Sequence, residues 1–136
     1  MFSSPNRLTA VIVGALYLVG GVAGLIVAAG TTPLAVPGRL LLGVFSVNPV
    51  AALLDILIAA ALLIAGLTTV AASKIVTTLA GTLFLVLGLA GLFVIGTVFN
   101  VLALNGADNV VHFASAVVLL AVGLGAERSV KTVVTS

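Results

Sequence analysis

The sequence is most constrained by the spacing of its few charges. Arg7, Arg39, Asp55, Lys74, Asp108, Glu127, Arg128 and Lys131 divide it into uncharged stretches of 31 residues (8–38), 18 (56–73), 33 (75–107) and 18 (109–126). A spanning helix needs roughly 20 apolar residues, because hydrocarbon offers unpaired backbone groups no water to bond. The stretches therefore predict an all-α membrane protein, a bundle of four transmembrane helices in one integral membrane domain over residues 1–136. With 62% hydrophobic residues, 6% charged and a mean hydropathy of +1.48, the composition excludes a water-soluble globular domain. Within 136 residues, four spans also leave no room for a large extramembrane catalytic head.

Punctuation places the spans at about 8–30, 49–72, 75–98 and 109–126. The first closes on Gly30-Thr31-Thr32-Pro33; its roughly 22 apolar residues exceed a signal-peptide core, so it is expected to stay in the mature protein. Asn48-Pro49 opens the second as N-cap and first helical residue. Ala72-Ser73-Lys74 turns into the third, and Asn105-Gly106-Ala107-Asp108-Asn109 supplies turn and cap residues for the fourth. Residues 33–47, still apolar, are expected to form an interfacial segment along the headgroups; the alternative is an extended loop over the helix ends. With four spans, Arg7, Lys74, Arg128 and Lys131 fall on one side and Arg39 on the other, which predicts cytoplasmic termini. The net charge of +2 and pI near 9.7 belong to this bias and do not indicate nucleic-acid binding.

The chain also repeats itself. Sliding the first span onto the third by 67 positions aligns Gly14 with Gly81, Gly21 with Gly88 and Gly24 with Gly91, places Tyr17 on Phe84, and gives nine identities in fourteen positions. Sliding the second onto the fourth by 57 aligns Asn48 with Asn105, Ala59 with Ala116, Leu62 with Leu119, Leu63 with Leu120 and Gly66 with Gly123. The expected architecture is two copies of one helical hairpin, related by an axis along the membrane normal, the first with a ten-residue insertion in its outer loop. Gly14, Gly20, Gly21, Gly24, Gly81, Gly88 and Gly91 are expected at helix contacts. They fall in small-residue patterns such as Ala10-x-x-x-Gly14, Gly20-x-x-x-Gly24 and Thr77-x-x-x-Gly81.

The repeat pairs Asp55 with His112, each seven residues after its aligned Asn. An ionisable side chain at the centre of a spanning helix costs roughly 2.5 to 3.5 kcal/mol, less near the interface, so each is expected to face protein or water. With Asn48, Asn105, Asp108 and Asn109 they form the candidate polar or ligand site, Asp55 and His112 facing inward from neighbouring helices. The structural alternative is a hydrogen bond serving as interhelical glue. No catalytic residue is assigned, because no motif sets a nucleophile beside a base and no Gly-rich loop could hold a phosphate. Zero cysteines and a single histidine exclude a thiolate or multi-His metal cage, so no metal and no resident cofactor are expected.

Two segments carry a family resemblance: Phe45-Ser46-Val47-Asn48-Pro49, with Asp55 after it, and Ala107-Asp108-Asn109-Val110-Val111-His112. Over about residues 8–126 the chain resembles an uncharacterised bacterial family of four-helix membrane proteins, domain of unknown function 4383. The resemblance implies an integral inner-membrane protein and no particular activity. The family pattern carries His where this chain has Asp55, and Gly where it has Ala59 and Ala116.

Three functional classes follow. The sequence favours a non-catalytic accessory or scaffold subunit of a larger membrane complex, because it supplies packing faces and few reactive groups. Its partners would be membrane lipid and protein subunits or further copies of itself. The second class is a small transporter, channel or proton-handling component using Asp55 and His112. The third is a haem-, quinone- or pigment-binding subunit, for which His112 is the one axial-type ligand.

Overall fold

A computed structural model describes residues 3–128; Lys131 and the rest of the terminal segment lie outside them. The elements run α1 (Pro5–Val27), β1 (Arg39–Leu41), β2 (Phe45–Val47), α2 (Pro49–Thr68), α3 (Val70–Val94) and α4 (Gly106–Gly125). All four helices are long and apolar enough to cross a membrane.

Each helix starts on a side-chain cap. Ser4, Asn48, Thr69 and Asn105 accept from the backbone N–H groups of Arg7, Ala51, Ala72 and Asp108, satisfying donors that hydrocarbon would leave bare. Pro49 follows Asn48, and Asp108 returns a bond to the Asn105 N–H to complete a capping box. The second helix stops at Thr68 rather than near Ala72. Thr69 is extended (φ −129°, ψ 159°) and already caps α3, so one residue forms the whole connection.

The contacts reproduce the repeat residue for residue. A Cβ on Gly14 would meet Leu62 and Leu63, and one on Gly81 would meet Leu119 and Leu120, the same partners 57 positions on. Likewise Gly21 abuts Ile56 and Gly88 abuts Phe113, while Gly66 abuts Val11 and Gly123 abuts Thr78. The ends of α1 and α3 are related by 67, and both ends of α2 and α4 by 57. Gly20 departs from expectation: nothing lies within 4 Å of its would-be Cβ. Gly14, Gly21 and Gly24 share one helical face against α2, and Gly20, a 100° step away from Gly21, turns off it.

Reciprocal bonds join the repeats at the outer ends of the even-numbered helices. The Asn48 side-chain amide donates to the Val101 carbonyl at 2.8 Å, and that of Asn105 donates to the Val44 carbonyl at 2.8 Å. Val101 is Val44 shifted by the same 57 positions, so the two bonds are related by the pseudo-twofold axis. At the opposite end the Arg7 guanidinium donates to the Gly66 and Leu67 carbonyls, where α2 leaves acceptors unfilled. Its counterpart Lys74 donates to the Glu127 carbonyl beyond α4. Desolvation opposes ionisation of Glu127, but hydrogen bonds from Ser4 and Asn6 and the Lys74 charge together outweigh it and hold its carboxyl below the usual carboxylate range. Asn6, fully buried, links Glu127 to Thr77.

Residues 39–47 have a secondary structure that neither expectation for this segment specified. They form an antiparallel β-hairpin pairing Arg39 with Val47 and Leu41 with Phe45, turned through Leu42 and Gly43 at positive φ. The ladder satisfies backbone groups within the segment, and Val47 anchors it against Ala28 and Ala52. The second outer loop has no ladder; Asn100 closes it by exchanging two hydrogen bonds with Leu104.

In cross-section α1 and α3 pack against each other through the middle, and α2 and α4 lie apart on the long diagonal. Ala10, Leu62, Ala80, Phe84, Ala116 and Leu119 form the core.

Candidate functional site

The bundle is not equally tight on its two symmetry-related faces. Where α2 meets α3 the helices pack more extensively than where α1 meets α4. A cavity of about 720 Å³ opens between α1 and α4 under the β-hairpin. Its rim includes Leu16 and Val19 of α1 and Val118 of α4, all well exposed, so it opens sideways toward lipid.

The walls are mainly aliphatic, with polar groups from four elements. Asp55 enters from α2, Asp108, His112 and Ser115 from α4, Tyr17 from α1 and Ser46 from β2. Asp55 and His112 each lie six residues into their helix, about 9 Å from its outer end. They share the cavity, but their helices are not neighbours as expected from the sequence. Tyr17 and Phe84 stack at 4.5 Å between ring centroids, and this aromatic pair fills the short diagonal that separates α2 from α4.

His112 is 8% exposed, and its ring lies 5.6 Å from Phe84 with an interplanar angle of 26°. Its Nδ1 is buried without a hydrogen-bond partner among the described residues. Asp108 Oδ2 accepts from the Asn105 and Ser46 N–H groups at 2.9 and 3.2 Å, which fixes that carboxylate between the α4 cap and the hairpin. Tyr17 Oη and Ser115 Oγ lie 2.8 Å apart, bridging α1 and α4 at the inner end of the opening. No Lys or Arg lines the cavity among the described residues.

The six polar residues singled out from the sequence therefore separate into two sets. Asp55, Asp108 and His112 line the cavity. Asn48 and Asn105 cap helices and cross-link the repeats, and Asn109 donates to the Gly88 carbonyl, tying α4 to α3 where only a glycine at position 91 leaves room for its side chain. Sequence reasoning did not assign Tyr17, Ser46 or Ser115 to the site. Ser115, three residues after His112 on one helical face, carried a usable signal; Ser46 depends on the hairpin and carried none.

Chemically, the cavity combines carboxyl, imidazole and hydroxyl groups with a large apolar wall. That combination suits orienting an amphiphilic molecule, with the Tyr17–Ser115 hydroxyl pair on the lining. No curated protein and no solved structure matches the chain. The model of the family described as Domain of unknown function (DUF4383) matches residues 7–125, from the first turn of α1 to the end of α4, and thus takes in both hairpins and every polar residue of the cavity; the chain belongs to that family.

Proposed function

We propose that the protein is a non-catalytic membrane component, accessory to a larger assembly, whose own contribution is to hold a lipophilic small molecule between α1 and α4. One observation carries the reading: a lipid-facing cavity of about 720 Å³, large enough for a drug-sized ligand, with its few polar groups gathered at the outer end. The Lys and Arg bias supports cytoplasmic termini, an orientation that would put the cavity in the outer half of a bacterial inner membrane. A through-pathway is less well supported. Inward of Tyr17 and Phe84 the bundle is filled by Ala10, Leu62 and Leu119, all fully buried, and offers a transported species no polar route. Bis-histidine haem ligation would need a second chain, because His112 is the one histidine.

Native mass spectrometry of the protein released from lipid nanodiscs tests this. The expected spectrum shows one retained small molecule per chain, lost when Gly20→Trp fills the cavity, and in mild extracts a further mass of partner subunits. Retention of ordinary phospholipid alone, unchanged by Gly20→Trp, would overturn the binding role. A bare chain in every extract would overturn the accessory one.

A further inference from the structure

We infer that the α1/α4 cavity selects a lipophilic amine in its protonated, ammonium form, with its charge on Asp55 and its apolar body along α1; this rests on the ligand-binding reading above. Two independent features point to that class. The first is uncompensated negative charge. Asp55 and Asp108 both line the cavity, and no Lys or Arg does among the described residues. Asp108 is held as an acceptor by two backbone N–H groups near the α4 N-terminus. An anionic ligand would meet repulsion here, and a neutral one would leave a carboxylate unpaired in a low-dielectric site.

The second is the unfilled hydrogen-bonding position on His112. More than nine-tenths of this residue is buried, it borders the cavity, and Nδ1 has no partner among the described residues. A protonated amine has N–H groups to share between a carboxylate and an imidazole, which a quaternary ammonium lacks. The ring faces of Tyr17 and Phe45, also on the lining, add cation–π surface. The remaining walls, including Val13, Leu16 and Leu87, suit an aromatic or alkyl body.

The test compares two fluorescent probes of nearly the same shape, 1-pyrenemethylamine (cationic at neutral pH) and 1-pyrenemethanol (neutral). Binding is read by fluorescence anisotropy with the full chain in phosphatidylcholine nanodiscs, after subtracting partition into empty nanodiscs. The amine is expected to bind at least about tenfold tighter than the alcohol, and Asp55→Asn to bring the two within about twofold. Retained alcohol binding shows that the variant is folded. Equal binding of both probes to the unaltered protein, or an amine preference that survives Asp55→Asn, would overturn the cation assignment and leave the cavity reading standing. Binding of neither probe above the empty-nanodisc level would overturn both.

Discussion

The α2/α3 and α1/α4 faces are symmetry mates, yet one is closed and the other holds a cavity. Three differences account for this. A single residue, Thr69, ties α2 to α3, whereas no direct connection draws α1 toward α4. The outer insertion of the first repeat folds as a hairpin whose Leu41, Phe45 and Ser46 reach the cavity. Finally, bulk is unevenly distributed: Gly20 stands where the second repeat has Leu87, whose side chain itself reaches the cavity wall, and Ser115 where the first has Ile58. Ile58 belongs to the packed core, and Gly20 borders open space. A repeat can thus keep its contacts within each hairpin and still acquire a site, if the change is confined to side chains between hairpins.

The largest expected effects test the part that is shared. Gly14→Val and Gly81→Val push a side chain into equivalent leucines and should each destabilise by about 3 kcal/mol. Equilibrium unfolding in lipid should give similar losses for both; a clear inequality would break the equivalence of the hairpins. Next come the asparagines. Asn48→Ala and Asn105→Ala each remove a cap and a cross-repeat bond, with an expected cost of about 1 to 2 kcal/mol by the same measurement.

The part that differs should respond the other way. Combining Gly20→Leu with Ser115→Ile gives the open face the bulkier residues found at the equivalent positions of the other repeat. It should change stability by only about 1 kcal/mol, while excluding pyrenemethanol from the cavity. Probe binding that persists would show that side-chain bulk does not keep the face open.

The smallest effect concerns the inner ends. Glu127 carries a lowered carboxyl pKa, so it contributes stability above the ordinary carboxylate range that is lost as pH falls through its folded value. Glu127 keeps part of its surface in solvent, which screens the interaction, so the contribution is small. Thermal midpoints measured from neutral to acid pH should fall slightly less for Glu127→Gln than for the unaltered chain.

Much of this architecture is legible in the sequence because lipid simplifies the problem. Few charges mark the span ends, and glycines in register survive as a repeat even in low-complexity sequence. The site is less legible. Asp55 and His112 are prominent because ionisable groups are rare in apolar spans, but which helices they join depends on Tyr17 and Phe84 occupying the middle, a packing outcome with no linear signature. The capping roles of Asn48 and Asn105 were legible, but their cross-repeat bonds and the Asn109 bond to Gly88 were hidden, because one residue type serves capping, cross-linking and ligand binding alike. The hairpin was missed because an apolar run with interspersed Pro and Gly has no clear period, and its strands are three residues each.

The paired asparagine bonds carry a further meaning. In each, one hairpin supplies the amide and the other the carbonyl, so a single hairpin bears both halves of the contact. A surface of that kind is self-complementary and belongs to a closed, isologous dimer. The chain is in that sense a covalent homodimer: its linkage through Thr69 lets two once-equivalent protomers diverge, and a pocket can form on one flank without being duplicated on the other.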